Sequence, residues 1–375
     1  MLPFREAGPK RMDPAADTVP RFEDYDRRTL GFEIASRSET GKPGSEHDDL
    51  RAVQRTRWTR FPRHSRSIHG GNMSSARTIA MSFTLLLMWL SVSAAARVQA
   101  AHTSPVGNVE SEMRKTIAAS GAEVSVALRT LDGRDEVLID PDRSFHAAST
   151  MKVPVMIELF RQARTGTLGL DDPLSIHNQF RSIVDGSPYA LSEGDDSDKA
   201  IYAAVGRTLT LRELCEAMIT ASSNFASNLL IEKLGADRIQ RTVSALGADG
   251  MRVLRGVEDQ KAFDKGLNNT TTARGLLVLL DKLAHGRAVD AQADAEMVAI
   301  LKRQKFNDAI PAGLPPGVVV AHKTGTITRI HHDAAIVYAR RPYILVVLVR
   351  GIDDQKQSAV LIAQLSRLAF EATQP

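Results

Sequence analysis

The stretch AASTMKVPVMIELF, residues 147–160, decides how the rest of the chain is interpreted. Ser149 and Lys152 stand three residues apart at the start of an apolar run, and residues at i and i+3 share one face of a helix. Pro154 lacks an N–H group and is best tolerated in a first turn, which supports a helix beginning near Ser149. The stretch predicts either a serine that caps a helix or a serine nucleophile with a lysine base one turn away.

The S-x-x-K tetrapeptide does not decide between these two alternatives by itself. A serine hydroxyl needs a neighbour that takes its proton, and a neutral, desolvated lysine can do so. The positive end of a helix also favours negative charge on an attacked carbonyl. However, average composition yields about one such tetrapeptide by chance in a chain of this size.

Two further motifs follow in a meaningful order. SSN at residues 222–224 interrupts a helical region, and KTGT at residues 323–326 ends a predicted strand. A K-T-G tripeptide arises by chance well under once per chain of this length. The three motifs in this order resemble those of the class A serine β-lactamases and the related penicillin-binding proteins. The resemblance covers nearly all of residues 105–375.

The resemblance implies roles for the first two motifs. Ser149 is expected to attack a β-lactam carbonyl, and Lys152 to help deprotonate it. Ser222 is expected to relay a proton to the leaving nitrogen. Asn224 is expected to contact both Lys152 and the substrate amide. The chemistry of these residue types agrees, because acyl transfer needs a nucleophile, a base and a proton relay.

The third motif implies the substrate-binding groups. Lys323 and Thr324 are expected to attract the substrate carboxylate, and Gly325 follows them in the motif. The backbone N–H groups of Ser149 and Thr326 are expected to form an oxyanion hole, which stabilises the charge that develops on the attacked carbonyl. The resemblance implies no cofactor.

The middle motif departs from the family. The family usually has S-D-N, and Ser223 takes the place of the aspartate. Because that aspartate is mainly structural in the family, we expect lost buried hydrogen bonds rather than lost chemistry. Asn228 stands where the family also has an asparagine.

The loop that should carry the deacylation base departs further. Class A enzymes have a glutamate followed, two residues on, by Leu-Asn, and these hold the hydrolytic water. Here residues 255–272 read RGVEDQKAFDKGLNNTTT. Glu258 is the best candidate base, the alternative being a surface acid, and Asn268 or Asn269 could contact the water. Arg255 and Asn269 are expected to close the loop through a hydrogen bond without an ion pair.

Three other positions carry open alternatives. Tyr189 is either an aromatic wall of the cleft or an anchored loop tyrosine. Arg329 is either an anchor for a substrate carboxylate or an exposed strand arginine. The run His331-His332-Asp333 invites a metal assignment, but adjacent strand residues point to opposite faces of a sheet, so we expect no metal.

The front of the chain has the features of an export signal. The apolar stretch at residues 79–92 is short for a bilayer span of about 20 residues. Arg77 precedes it, and small residues lead to an A-x-A-like site ending at Ala100. We expect a signal peptide at residues 73–100, cleaved after Ala100, and a periplasmic or secreted product; the alternative is a membrane anchor or buried helix. Residues 1–72 are expected to be disordered or an upstream extension.

The charge balance limits the partners. Residues 1–72 carry 14 Lys/Arg and 11 Asp/Glu, whereas the residues after Ala100 carry 32 and 33. The positive net charge of the whole chain therefore belongs to the front end, and nothing after it favours nucleic acid or an anionic membrane. The single cysteine excludes an intramolecular disulfide. We expect a monomer without a stable membrane anchor, acting on a small β-lactam or a peptidoglycan-like substrate.

Strand patterns at both ends and helical periodicity between them predict the fold class. The expected fold is α+β, an α/β three-layer sandwich, and the resemblance implies that it is of the β-lactamase/transpeptidase-like type. It has a five-stranded antiparallel sheet flanked by terminal helices, with an inserted all-α lobe. In the expected catalytic domain, residues 101–375, the sheet lobe covers about residues 101–147 and 312–375, and the helical lobe about residues 148–311.

The motifs favour an exported serine hydrolase that opens β-lactams through an acyl-enzyme on Ser149. One alternative is a penicillin-binding protein or D-Ala-D-Ala peptidase with slow deacylation. Another is a penicillin-recognising sensor module without turnover, and a glutaminase or esterase on the same scaffold is more distant. The fate of the acyl-enzyme distinguishes them.

Overall fold

The computed structural model describes residues 105–374. The predicted extension at residues 1–72 and the predicted signal peptide at residues 73–100 lie outside the described residues. The helices are α1 (Pro105–Ser120), α2 (Lys152–Arg164), α3 (Leu211–Thr220), α4 (Asn224–Leu234), α5 (Ala236–Ala245), α6 (Gln260–Asp264), α7 (Ala273–Ala284), α8 (Ala291–Leu301) and α9 (Gln355–Thr373). The strands are β1 (Glu123–Thr130), β2 (Glu136–Ile139), β3 (Phe145–His146), β4 (Pro173–Ser175), β5 (Phe180–Arg181), β6 (Pro188–Tyr189), β7 (Thr208–Thr210), β8 (Thr270–Thr271), β9 (Val319–Ile327), β10 (Ile330–Tyr338) and β11 (Tyr343–Arg350).

Five strands form the central sheet in the order β2-β1-β11-β10-β9, with every neighbouring pair antiparallel. The predicted five-stranded antiparallel sheet is therefore confirmed. The β11 strand, YILVVLVR, lies in the middle and is buried on both faces. Its unbroken apolar sequence follows from that position, because no residue of the strand interior faces water.

The two faces of the sheet carry separate cores. On one face, Leu345 and Val347 of β11 pack with Met113 of α1 and Ile362 of α9. On the other face, Val346 and Leu348 belong to the core shared with the helices between β2 and β9. The period-2 alternation of a strand thus produces three layers, with the terminal helices outside and the sheet between.

Local signals fix the helices around the site. Thr210 caps α3 through a complete capping box with Glu213, and Thr272 caps α7. Gly235, at φ +86°, separates α4 from α5. Within residues 105–374, no helix is long and apolar enough to cross a membrane.

Candidate active site

Ser149 lies in a 3₁₀ turn, Ala148–Met151, that leads directly into α2. The Ser149 side chain caps neither this turn nor the helix, so the capping alternative is wrong. The backbone of Ala148 has φ +45°, a conformation that costs energy for a residue with a Cβ. The N–H group of Ala148 donates to Nδ1 of His146 at 3.0 Å, which holds the turn in place. The hydroxyl of Ser149 is half-buried in a strained turn at a helix start.

Lys152, in the first turn of α2, is fully buried. Its Nζ donates to the carbonyl of Ser222 at 2.6 Å and to Oδ1 of Asn224 at 2.9 Å, and it lies 3.3 Å from the Ser222 hydroxyl. Burial lowers the pKa of Lys152 to about 7, and the negative charges of Asp196 and Glu258 oppose this change. A substantial neutral fraction therefore exists near neutral pH, as a lysine base requires.

Ser222 lies between the two lysines of the motifs. It joins α3 to α4 with φ +59°, and its Oγ accepts a hydrogen bond from Nζ of Lys323 at 2.9 Å. Lys323 is fully buried in β9, and burial together with the charge of Lys152 holds its pKa well below the ordinary value. A hydroxyl within reach of two such lysines can gain and lose a proton readily.

The β9 strand runs directly against the serine turn, because Gly325 has no side chain. A Cβ on Gly325 would lie 3.0 Å from the backbone nitrogen of Ser149 and 3.1 Å from that of Thr150. These contacts are tighter than nine in ten that real Cβ atoms make, so an approach this close favours glycine. Thr324 is buried beside Gly325, whereas Thr326 is exposed at the end of the strand.

Glu258 reaches the same group of residues from the loop before α6. Its Oε1 accepts a hydrogen bond from Nδ2 of Asn224 at 2.8 Å. The pKa of the Glu258 carboxyl is raised, mainly by burial and also by the charges of Asp196 and Asp195. The hydrogen bond from Asn224 and the charge of Lys152 oppose this change. The backbone of Glu258 has φ +62°, so the loop holds this residue in a strained backbone conformation.

Arg255 closes the loop that carries Glu258. Its guanidinium donates to the carbonyls of Leu267 at 2.8 Å and Gly256 at 2.9 Å, and to Oδ1 of Asn268 at 3.1 Å. Asn269 instead bonds the backbone, accepting from the N–H groups of Leu254 and Arg255 and donating to the carbonyl of Arg255.

This closure corrects one prediction. The amide that meets the Arg255 guanidinium is Asn268, whereas Asn269, predicted for that position, bonds the backbone of Arg255. The Asn269 side chain is buried, and Oδ1 of Asn268 accepts from Arg255. The contact of either asparagine with a hydrolytic water stays a prediction.

Asn228 and Tyr189 fix the residue before Glu258. Oδ1 of Asn228 accepts from the N–H group of Val257 at 2.6 Å, and its Nδ2 donates to the carbonyl of Val257 at 3.0 Å. The Tyr189 hydroxyl donates to the same carbonyl at 3.3 Å and accepts from Asn228. Burial raises the pKa of Tyr189 to about 12. These contacts are those of an anchored loop tyrosine that supports the Glu258 loop.

Arg329 occupies the turn between β9 and β10 with φ +59°. Its guanidinium pairs with the Asp353 carboxylate at 3.0 Å and donates to the carbonyl of Gly351 at 3.2 Å. A substrate carboxylate at this position would therefore compete with Asp353.

The two adjacent histidines of β10 take part in separate contacts. His332 lies between the carbonyl of His146, at 3.0 Å from its Nε2, and the N–H group of Val349. Nδ1 of His331 is buried without a hydrogen-bond partner. Among residues 105–374, no three His, Cys, Asp or Glu side chains are grouped to hold a metal ion.

One charged residue next to the site was missed from the sequence. SEGDDSDK, residues 192–199, reads as a solvated loop, but Asp196 is only 4% exposed and accepts hydrogen bonds from the start of α4. The polar composition of the loop conceals this, because only one of its three aspartates is buried. No regular sequence spacing predicts that residue 196 contacts residues 223–225.

The described groups together define a class of protein. A serine sits at a helix start, a buried lysine of low pKa lies one turn on, and a second serine lies between two lysines. This arrangement on a three-layer α+β fold is that of the serine hydrolases that react through an acyl-enzyme.

The model of the beta-lactamase enzyme family matches residues 108–373, and the chain belongs to that family. A carbapenem-hydrolyzing beta-lactamase KPC of Klebsiella oxytoca is 32% identical over 171 residues, which are 44% of this chain and 58% of that enzyme. The chain thus spans a little more than half the length of the first curated relatives it matches.

Two solved structures share the fold. A beta-lactamase from Sphaerobacter thermophilus superposes with a TM-score of 0.61 at 25% identity, covering 70% of this chain and 97% of its own. A variant of PBP-A, solved as an acyl-enzyme complex with penicillin G, superposes with a TM-score of 0.60 at 25% identity, covering 71% of this chain and 96% of its own. These matches support a β-lactamase-like serine hydrolase.

Proposed function

We propose that this chain is an exported serine β-lactamase of the class A type, which opens the β-lactam ring through an acyl-enzyme on Ser149 that water then hydrolyses. One observation carries the proposal. Hydrogen bonds run without a break from Lys323 to Ser222, on to Lys152, then to Asn224 and Glu258, beside the turn that bears Ser149. Acylation and deacylation each have their base in this chain of groups.

In acylation, Oγ of Ser149 forms a bond to the lactam carbonyl carbon while neutral Lys152 takes the hydroxyl proton. The backbone N–H groups of Ser149 and Thr326 stabilise the oxyanion. As the C–N bond breaks, Ser222 gives its proton to the lactam nitrogen and regains one from Lys152, with which it is in contact. In this structure Nζ of Lys152 bonds to Ser222 and Asn224. The hydrogen bond from the Ser149 hydroxyl to Lys152 is one that tightens when substrate binds, as catalytic hydrogen bonds often do.

In deacylation, Glu258 takes a proton from the water that attacks the ester carbonyl, and this proton is returned to Oγ of Ser149 as its bond to the carbonyl carbon breaks. The raised pKa of the Glu258 carboxyl makes it a stronger base than an ordinary surface glutamate. Its bond to Asn224 holds it beside the residues that form the acyl-enzyme.

The substrate carboxylate binds at Lys323 and Thr324. Two buried lysines lie in one cleft, and repulsion from the charge of Lys152 is, after burial, among the causes of the low pKa of Lys323. An anionic substrate relieves that repulsion by raising the pKa of the adjacent lysine. This electrostatic gain favours the carboxylate common to bicyclic β-lactams and to peptidoglycan ends.

A penicillin-binding protein with slow deacylation is the second candidate, and the Glu258 loop is the observation that favours it. The side-chain oxygens of Asn268 and Asn269 accept hydrogen bonds from Leu254 and Arg255 within the loop, which leaves less of either amide to hold a water beside Glu258. When the hydrolytic water is poorly positioned, deacylation is slow and the acyl-enzyme persists.

The fate of the acyl-enzyme tests the proposal. Steady turnover of a chromogenic cephalosporin, lost in Ser149→Ala, is the expected result. Labelling by a fluorescent penicillin at one equivalent, lost in Ser149→Ala and without turnover, favours the penicillin-binding alternative. No covalent labelling and no turnover in the wild-type protein would contradict both.

Export belongs to the same proposal. A signal peptide at residues 73–100 would be removed after Ala100, which leaves residues 101–375 as a monomeric catalytic domain in the periplasm or outside the cell. Its substrate is a small β-lactam or a peptidoglycan-like molecule. Intact-mass measurement of the natural product tests the cleavage, since a retained residue 1–100 segment contradicts it.

A further inference from the structure

The carboxylate of Asp196 lies at the N-terminus of α4, although its own loop is distant in sequence. Oδ1 accepts from the N–H group of Asn224 at 3.1 Å, and Oδ2 from that of Phe225 at 2.8 Å. The hydroxyls of Ser223 and Tyr202 each lie 3.3 Å from Oδ2. A nearly buried carboxylate with this many donors is firmly held, and the positive end of the helix adds to the attraction.

The position of Asp196 is related to the unusual middle motif. Ser223, which stands where an aspartate is usual, uses its Oγ to cap α4 at the N–H group of Ala226 and to meet Asp196. The motif itself therefore carries no carboxylate, and the 192–199 loop supplies one from outside it. The Ser223 hydroxyl thus makes two buried hydrogen bonds, and the expectation of bonds lost relative to the aspartate stays a prediction.

The same loop also holds the residue before Ser222. The hydroxyl of Ser197 donates to the carbonyl of Ala221 at 2.7 Å. Asp196 and Ser197 therefore hold the backbone on both sides of Ser222, whose φ of +59° is a strained conformation that needs such support. The carbonyl and hydroxyl of Ser222 in turn receive the two buried lysines, Lys152 and Lys323.

We propose that Asp196 is the positioning residue of the Ser222–Asn224 turn and replaces, from a separate loop, the carboxylate absent from position 223. Asp196 touches none of the reacting groups of Ser149 or a substrate. It acts by holding the backbone that aims the Ser222 hydroxyl and the Asn224 amide. Only the kinetic readout of this proposal rests on the proposed function.

The test compares three variants of the full chain. Asp196→Asn keeps the shape of the side chain but turns an NH₂ group toward the N–H groups of α4. Asp196→Asn/Ser223→Asp returns a carboxylate within the motif. Asp195→Asn is the matched control, because Asp195 is an exposed neighbour whose charge also affects Glu258 but which makes no bond to α4.

The rate constant for acylation of Ser149 by a fluorescent penicillin is measured at saturation, together with the dissociation constant of the non-covalent complex. We expect Asp196→Asn to slow acylation roughly ten- to hundredfold while changing the dissociation constant far less, since misplaced groups cost rate more than binding. The double variant should acylate at least about tenfold faster than Asp196→Asn, and Asp195→Asn should acylate at the wild-type rate.

Three outcomes overturn the proposal: a wild-type rate in Asp196→Asn, an equal loss in Asp195→Asn, or a folded double variant that does not recover. If Asp196→Asn alone does not fold, the double variant decides. A folded double variant that acylates supports the proposal, and a folded double variant that does not acylate contradicts it. If the wild-type protein is not acylated at all, the proposed function fails, and the crystal structure of Asp196→Asn decides instead. Loss of the 2.9 Å contact between Lys323 and Ser222 then supports the positioning role, and an unchanged turn contradicts it.

Discussion

The side-chain amide of Asn224 connects Lys152 to Glu258. Its Oδ1 accepts from Nζ of Lys152 at 2.9 Å, and its Nδ2 donates to Oε1 of Glu258 at 2.8 Å. The orientation of the amide is fixed, because only the oxygen can accept from an ammonium and only the nitrogen can donate to a carboxylate. One residue at the start of α4 thus sets the distance between the proposed acylation base and the proposed deacylation base.

The Glu258→Gln variant should trap the acyl-enzyme. The amide oxygen of glutamine can still accept from Asn224, so the geometry is retained, but it cannot take a proton from water. Removal of a general base slows a step by about 10²–10⁴-fold, and deacylation should fall by that factor while acylation stays within a few-fold. Intact-mass spectra during penicillin turnover measure both steps.

The control for this variant is Glu371→Gln, which makes the same change at an exposed position on α9. It should leave both steps at wild-type rates. Deacylation that is equally fast in Glu258→Gln and the wild-type protein would remove Glu258 from the proposed role.

The pH dependence of acylation should report on Lys152. Burial lowers its pKa to about 7, and only the neutral amine can take the Ser149 proton. Below that pKa the neutral fraction falls about tenfold per pH unit, so the acylation rate constant should fall by the same factor and should level off above about pH 7. Single-turnover labelling with a neutral ester of a penicillin isolates this step from titration of the substrate.

The contradicting result is a rate that is still rising steeply above pH 9, which would mean that Lys152 keeps the pKa of an ordinary lysine. A Lys152→Arg variant is the matched check. Arginine stays charged throughout this range, so the variant should show no acylation at any pH tested.

The sequence predicted the sheet and the three motifs because both rest on short-range patterns. YILVVLVR alternates between two buried faces, and the proline of KVPV marks a first helical turn. The role of Asp196 could not be predicted, since its partners at Asn224 and Phe225 are almost thirty residues away and its neighbours are exposed acids. Contacts of a loop depend on tertiary packing and produce no hydrophobic periodicity in the sequence, unlike those of a helix or strand.

The loop that carries Glu258 shows the same limit. The sequence identified Arg255 and Asn269 as its closing residues, whereas the guanidinium meets Asn268. The choice depends on the backbone path, which directs Asn269 inward to Leu254 and leaves Asn268 at the guanidinium. Identical side chains at adjacent positions take different partners because they point to different sides of the chain.

The Asn269→Ala variant should destabilise this loop. The Asn269 side chain is buried and accepts from two backbone N–H groups while donating to the carbonyl of Arg255. Leaving buried backbone groups unpaired costs roughly 1–3 kcal/mol, and the free energy of unfolding in urea should fall by about that amount. Asn108→Ala, at an exposed position of the same residue type on α1, should not lower it, since alanine is the better helix former. Equal stability of the Asn269 variant and the wild-type protein would contradict this account of loop closure.

The Gly325→Ala variant should separate the K-T-G strand from the serine turn. A Cβ on Gly325 would meet the backbone nitrogens of Ser149 and Thr150 at 3.0 and 3.1 Å, and neither belongs to a flexible side chain that could move aside. Strand β9 or the serine turn must then give by a few tenths of an ångström, which disturbs the contact between Lys323 and Ser222. A displacement of about 1 Å costs on the order of 10²-fold in rate, so this smaller shift should slow acylation by roughly several-fold to tenfold even in folded protein. The control is Gly194→Ala, whose Cβ meets only the Ser192 hydroxyl at 3.4 Å, and it should acylate normally. Normal acylation by Gly325→Ala with β9 unmoved in its crystal structure would show that the close approach is not required.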